Sequence, residues 1–355
     1  MRAIAPDIPF CNHLYHTVPM TTLYLTEPGT VVQCQNAALT VKHKEQSRQL
    51  RLAELDLIVV SPGVQLTSVA LSRLLDQGIE TLFIHQNGQF RGRLQSGFAT
   101  NPAIRLAQYR TVDTGFGLAL AQRLVVGKVR NQRVLLQRRD RMTTGQNVEL
   151  AAAIAELITA SQGIERNNAP LTRDQLMGLE GLCGRAYFQG LQHWFPAAWG
   201  FEGRNRQPPR DPVNALLSWG YGILLSRVFA AAVQAGFDPY LGFFHATQAY
   251  RPNLVLDLME EFRPLIVDQA VIATIYSGLL TPDDFEPSPD GEGIWVGSVG
   301  KKLFLAQLER QFCKRLLYSP QNRRLTMSQI ILEQARWVGR CLVNQTLDYQ
   351  GFMLR

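Results

Sequence analysis

Residues 241–268, LGFFHATQAYRPNLVLDLMEEFRPLIVD, set one histidine and several carboxylates into strongly apolar surroundings. His245 closes the run Leu241, Gly242, Phe243, Phe244, and Asn253, a good cap residue just after Pro252, predicts a helix that starts there. Counted from Asp257, the residues Glu260, Glu261, Pro264 and Asp268 lie at offsets of three, four, seven and eleven, which is one helical face. Leu254, Val255, Leu258 and Met259 supply the apolar remainder. The helical reading continues to about residue 280. Charge in such surroundings needs a counter-charge, and a divalent cation would neutralise the stripe.

Upstream of this stretch the pattern stays helical. The segment 213–235 is nearly all apolar and ends at Gly236, which predicts a helix buried on most sides. Before it runs a basic Gly/Pro loop, GFEGRNRQPPRDP, at residues 200–212, and before that come helices over 172–192, 148–162 and 116–140. The last of these carries Arg123, Lys128, Arg130, Arg133, Arg138, Arg139 and Arg141. Such a run is either a solvated helix face or a set of phosphate contacts whose binding releases counterions. Downstream, an acidic insert, TPDDFEPSPDGEG, precedes a short strand in GIWVGS and two helices over about 300–317 and 326–347. Lys301, Lys302, Arg310, Lys314, Arg315, Arg323 and Arg324 make a second basic cluster there.

The pattern changes near residues 97–103, around Asn101-Pro102. On the N-terminal side, short apolar runs alternate with turns: TLYL, TVVQCQ, ALTVKH, RQLRL, LDLIVV, ETLFIHQ and QFRGRLQ. Asn87-Gly88 is a hairpin signal, and one helix over 67–77 stops at Gly78, a good left-handed cap. The fold class is therefore α+β, with a small β-rich N-terminal domain followed by a larger, mainly α-helical one. Residues 1–19 show no periodicity and are expected to be a poorly ordered extension, with Met20 offering an alternative start.

Composition limits the class of protein. The 355 residues are 46% hydrophobic and 18% charged, with a formal net charge of +7, a surplus compatible with a polyanionic partner. The five cysteines are widely spaced and form no C-x-x-C pair, which fits a reducing cytoplasm better than a secreted disulfide framework. No run approaches 18 consecutive apolar residues, and the first residues lack the apolar core of a signal peptide, so neither export nor a membrane span is expected.

An isolated histidine in an apolar setting is more often a satisfied core residue than a ligand, and a carboxylate stripe is usually a solvated face. Here the two share a neighbourhood too apolar for a surface. Oxygen donors plus one imidazole suit Mg²⁺ or Mn²⁺, with histidine favouring Mn²⁺, whereas zinc would call for H-E-x-x-H or cysteine pairs. A further carboxylate in an apolar context is Glu180, in LMGLEGLCGRAYFQGL. Gly181 and Gly184 beside it suit either helix packing or the close approach of a nucleic-acid backbone.

The order EG-x-x-x-R-x-Y-F at residues 180–188, R-x-R-x-P-P-x-D-P-V-N-A-L-L-S at 204–218, then L-G-F-x-H and D-L-M-E-x-F-R-P, resembles the CRISPR-associated integrase family, the catalytic subunit of the spacer-acquisition complex. The likeness spans about residues 21–350. It implies a β-rich dimerisation domain at 20–100, an α-helical catalytic domain at 101–355, and a metal-dependent DNA endonuclease/integrase that joins the 3′-hydroxyl ends of short DNA fragments to a repeat array by transesterification. It further implies Glu180, His245 and Glu260 as ligands of Mg²⁺ or Mn²⁺, with Asp257 orienting the catalytic set or joining it. Asn214, Ser218 and Tyr221 match the motif helix beside the site and would position the scissile strand. Arg123, Lys128, Arg130, Arg133 and Arg138, with the loop arginines Arg204, Arg206 and Arg210, would hold DNA phosphates. Glu261 and Asp268 are expected to serve structure, by pairing with Arg263 or other arginines. The implied partners are double-stranded DNA, a second copy of the chain, and a small ferredoxin-like subunit bridging two dimers. The rival readings are a DNA-binding scaffold without chemistry and a branched-DNA repair nuclease.

Overall fold

The computed structural model describes residues 21–86, 88, 90–95, 102–142, 145–165, 171–205, 208–245, 251–287, 291 and 293–353. The expectations for residues 1–19, for Asn87 and for Arg206 fall outside them. The fold is mixed α/β, strand-rich in its N-terminal part and helical after it. The chain divides into two compact units, Met1–Phe83 with Arg93–Ser96, and Ile84–Gly92 with Gly97–Arg355.

The first unit holds β1 (Thr21–Leu25), β2 (Val31–Gln35), β3 (Ala38–His43), β4 (Gln46–Arg51), β5 (Leu55–Val60), β6 (Gln65–Leu66), α1 (Ser68–Asp76) and β7 (Glu80–Ile84), followed by β8 (Phe90–Leu94). One sheet has the order β1-β5-β7-β8 and the other β4-β3-β2-β6. Strand β5 pairs in parallel with both β1 and β7, and its successive residues Leu57, Ile58, Val59 and Val60 are all buried, as a strand covered on both faces requires. In the second sheet β2, β3 and β4 are antiparallel neighbours. Thr67 caps α1 by accepting from the Ala70 amide, and Gly78, at φ +65°, ends it as expected. Leu25, Val32, Leu39, Ile58, Ala70 and Leu74 form the core of this unit.

Residues 84–92, which the sequence reading left with the strands, group with the helical unit. Phe90 stacks on Phe229 with centroids 4.4 Å apart, and Gly88 lies so close to Gly222 that a Cβ on the latter would meet the Gly88 carbonyl oxygen at 2.4 Å. The helical unit continues through α2 (Pro102–Thr111), α3 (Gly115–Met142), α4 (Val148–Glu165), α5 (Arg173–Leu191) and α6 (Pro212–Gln234). Thr172 starts α5 with a capping box to Gln175, and Asp211 caps α6 with Pro212 at its first position. Helix α6 alone among the described residues is long and apolar enough to cross a membrane, and 67% of its most apolar window is buried against its own domain.

The continuous helix expected from Asn253 onward is not one helix. It comprises α7 (Asn253–Met259), a 3₁₀ turn (Glu260–Phe262), a π-helical stretch (Arg263–Asp268) and α8 (Gln269–Tyr276). Pro264 has no amide hydrogen to donate, and the backbone rewinds around it, as insertions into functional helices commonly do. The chain closes with β9 (Phe285–Pro287), β10 (Ile294–Val296), α9 (Ser298–Cys313), β11 (Arg315–Tyr318), β12 (Arg323–Thr326) and α10 (Met327–Asn344). The β11–β12 hairpin takes residues read as the end of a helix and presents Arg315, Arg323 and Arg324 to solvent.

Candidate active site

Asp257 organises the loop that carries His245. Its buried carboxylate accepts from the amides of Phe243 (2.6 Å), Phe244 (2.8 Å) and His245 (3.0 Å), and from His245 Nδ1 (2.6 Å). Hydrogen bonds to a charged acceptor contribute about 1.5–3 kcal/mol each, so this one side chain can hold a five-residue loop without regular structure. The approach is close enough that a Cβ on Gly242 would meet Asp257 Oδ2 at 2.7 Å, which explains the glycine in L-G-F-F-H. Because a carboxylate can only accept, His245 Nδ1 is the donor, and in the neutral imidazole Nε2 is left with its lone pair. Carboxylate, imidazole and a free Nε2 are the arrangement by which metal-ligating histidines are oriented.

The rewinding at residues 260–268 splits the predicted acidic face into three. Glu260 turns toward α3 and α5, where its Oε1 accepts from Arg263 Nε at 3.0 Å and its Oε2 stands 2.6 Å from Lys128 Nζ. Glu261 turns the other way and accepts from Tyr349 Oη (2.9 Å), the Phe352 amide (3.0 Å) and Gln334 Nε2 (3.3 Å). Asp268 accepts from Tyr221 Oη at 2.6 Å and from Tyr187 Oη. The expectation that Arg263 pairs with Glu261 and Asp268 is therefore corrected: its hydrogen bond goes to Glu260, and its guanidinium lies over the Tyr221 ring, 4.5 Å from the centroid.

The electrostatics follow from these partners. Burial pushes the Glu260 carboxyl up, but Arg263 and Lys128 more than reverse it and hold it at about 2. For Asp268 burial wins over its two tyrosine hydroxyls and raises it to about 6, and for Glu261 burial raises it to about 8. Burial also opposes charge on Lys128, yet Glu260 and Glu180 outweigh it and raise its pKa.

Glu180, on α5, reaches the same place from the other side, and Lys128 pairs with it as well as with Glu260. One cleft is lined by Glu180, His245 and Glu260 together with Lys128, Arg204 and Arg251. Gly181 is exposed, and neither it nor Gly184 has a neighbour that a Cβ would touch, so this face of α5 is open rather than packed against a helix.

Among the described residues no three His, Cys, Asp or Glu side chains stand close enough to hold an ion as they are, since the Lys128 ammonium lies between the two glutamates. The donor set nevertheless suits a hard divalent cation: two carboxylates from separate helices and one oriented imidazole. Glu260 Oε2 has no hydrogen bond of acceptable geometry although the ammonium is 2.6 Å away, so this buried oxygen is charge-paired but not satisfied. Mg²⁺ or Mn²⁺ fits these residues on both counts.

Other residues singled out from the sequence are distributed unevenly. Lys128, grouped there with surface arginines, is buried at the site, and Arg139 turns inward to the His193 carbonyl and the Trp194 ring, so the basic run of α3 is not a single solvated face. Arg123 and Arg210 are exposed, Arg133 and Arg138 are half-buried, and Arg130 pairs with Glu165. Asn214 is corrected from a DNA contact to a loop brace, because it is fully buried and its amide bonds Asp211, Gly203 and Arg204. Tyr221 commits its hydroxyl to Asp268, while Ser218 accepts from Arg204 at 3.1 Å and so helps aim that arginine along the cleft. Tyr187, Gln132 and Arg263 belong to the site without having been picked out as members of it. The signal for Lys128 was available as a lone cation in the otherwise apolar segment L-V-V-G-K-V.

A family model described as CRISPR associated protein Cas1 matches residues 23–310. The CRISPR-associated endonuclease Cas1 1 of Thermus thermophilus is 34% identical over 330 residues, covering 91% of this chain and 96% of that protein. Among solved structures, a chain of a Cas6-RT-Cas1--Cas2 complex is similar with a TM-score of 0.80 and 27% identity, covering 97% of this chain and 37% of that one. A casposase bound to integration product shares the fold, with a TM-score of 0.79 and 21% identity over 93% of both chains.

Proposed function

This chain belongs to the Cas1 family of CRISPR-associated endonucleases, and from that premise we propose that it is a divalent-metal-dependent DNA integrase and endonuclease of spacer acquisition. The observation that carries the reading is the Asp257-oriented His245 facing the Glu180 and Glu260 carboxylates in one cleft. Glu180, Glu260 and His245 Nε2 would hold Mg²⁺ or Mn²⁺. The bound ion would supply Lewis-acid stabilisation of charge on the phosphoryl oxygens and the leaving oxygen.

The reaction is transesterification: a DNA 3′-hydroxyl attacks a phosphodiester of the repeat, a new P–O bond forms and the 3′-oxygen of the cut strand leaves. No covalent protein intermediate is required. The chain's own residues bind and orient. Arg204, braced by Asn214 and Ser218, points its charge along the cleft toward a DNA phosphate, and exposed Arg123 and Arg210 add backbone contacts. The open glycine face of α5 lets a DNA backbone come close to Glu180. Asp257 acts on the reaction through His245, which it keeps in one tautomer.

We assign double-stranded DNA as substrate, a second copy of the chain as partner through the strand-rich unit, and a small Cas2-type subunit as the bridge between dimers. The last is supported by the fold's likeness to the chain of the Cas6-RT-Cas1--Cas2 complex. The test is strand transfer of a short duplex into a repeat-bearing plasmid by Glu180→Ala, His245→Ala and Glu260→Ala. Each variant should lose transfer while keeping its fold and duplex binding. Full activity in any one removes that residue from the ligand set, and full activity in all three places the chemistry at an unrelated site.

A further inference from the structure

Lys128 occupies the place that a cation between Glu180 and Glu260 would take. Its side chain leaves α3, is only 10% exposed, and sets its ammonium against Glu180 Oε1 and Glu260 Oε2. Nothing else on α3 does this, because the neighbouring arginines of the helix spend their charge on Glu165, the His193 carbonyl or solvent. Two carboxylates drawn together from separate helices repel at close range, and a buried ammonium between them removes that repulsion. A divalent cation bound to the same two oxygens would repel the ammonium, so both cannot keep these contacts at once.

We propose that Lys128 is a displaceable counter-cation: it keeps Glu180 and Glu260 assembled and competes with the divalent ion for them until the ion displaces it. The proposal rests on the reading of Glu180, His245 and Glu260 as the metal ligands. The residue type suits the role, since lysine carries a compact charge on a flexible four-carbon stem, whereas the planar fork of arginine would lock onto one carboxylate. A landing place exists on the same helix. Gln132, one turn further along α3, is buried, lines the same cleft, and its Oε1 has no hydrogen-bond partner. Glu260 Oε2, close to the ammonium yet without a well-formed hydrogen bond, is an acceptor whose needs the lysine meets only in part.

The test is calorimetric titration of Mn²⁺ into the full chain and into Lys128→Met, Lys128→Gln and His245→Ala. Wild-type uptake should disappear in His245→Ala, and both Lys128 variants should bind Mn²⁺ about tenfold or more tighter, since a competing cation has been removed. In parallel, reductive methylation of the wild type, read by mass spectrometry, should modify Lys128 slowly without added ion and several-fold faster at saturating Mn²⁺, with exposed Lys314 as the unchanged reference. Equal or weaker Mn²⁺ binding in both Lys128 variants, or Lys128 methylation that Mn²⁺ leaves unchanged, overturns the proposal while the ligand assignment stands. Absence of any Mn²⁺ uptake that His245→Ala removes overturns both. If the Lys128 variants fail to fold, the methylation of the wild type decides.

Discussion

Glu260 and Glu261 are neighbours on one 3₁₀ turn, 6% and 1% exposed, and their carboxyls are driven in opposite directions. Glu260 faces Arg263, Lys128 and the cleft, and is held at about 2. Glu261 faces the C-terminal segment, receives hydrogen bonds from neutral donors alone, and is raised to about 8. Burial penalises both charges; what differs is whether a cation stands opposite. The two sides of this turn therefore do different work. The Glu260 side keeps an ionised carboxylate ready beside His245 and Glu180. The Glu261 side is a neutral knot joining the turn, α10 through Gln334, and residues 349–352, reinforced by Asn131 Nδ2 donating to the carbonyls of both Glu261 and Phe352.

The largest separation between the two sides is expected in activity. Glu260→Ala should lower strand transfer at least about 100-fold, while Glu261→Gln, which keeps the neutral form, should lower it less than about tenfold; groups one step from a ligand typically cost 10–100-fold. Comparable losses in the two would erase the distinction. Next in size, Asp257→Asn should weaken Mn²⁺ binding by about 10–100-fold, because the amide can no longer hold His245 Nδ1–H and three backbone amides together. Calorimetry reads this, and unchanged affinity would free His245 from its dependence on Asp257.

On the stability side, Glu261→Ala should cost about 3 kcal/mol in denaturant titration, since it leaves the Tyr349 hydroxyl and the Phe352 amide short of an acceptor. Faster hydrogen exchange at the Phe352 amide should accompany the loss. Smaller still, pH should pull the two glutamates apart. Between the ordinary 4.5 and about 8, folded Glu261 keeps a proton that the unfolded chain has released, so its contribution lowers stability as pH rises, by at most about 1.4 kcal/mol per pH unit. Glu260 acts in the other window: its contribution is present above 4.5 and is lost as pH falls toward 2. Denaturation midpoints measured from pH 5 to 8 should fall in the wild type and flatten in Glu261→Gln, and parallel slopes in the two would remove Glu261 as the source.

Much of the architecture was readable because it is written locally. The apolar run LDLIVV marked a strand, and Gly78 marked the end of a helix by capping chemistry that depends only on near neighbours. His245 and its carboxylates stood out because charge in an apolar run demands a partner. The acidic stripe, by contrast, was projected on a helix of constant pitch, and the backbone changes pitch between Glu260 and Asp268, so that Glu260 and Asp268 line the cleft while Glu261 turns to residues 349–352. Lys128 was hidden for a related reason. In sequence it is grouped with the basic run of its helix although its own segment, L-V-V-G-K-V, is otherwise apolar, and the packing of α3 against the Glu260 turn and α5 sets it apart from the arginines around it.

The chain alone therefore determined which segments are strands and which are helices, where most of them end, and which rare side chains sit in apolar company, since those properties follow from periodicity, caps and composition over a few residues. Tertiary structure alone decided which carboxylate meets a cation and which meets a tyrosine. Those pairings depend on the side from which each residue leaves a rewound turn and on segments tens to more than a hundred residues away, and local pattern carries no information about either.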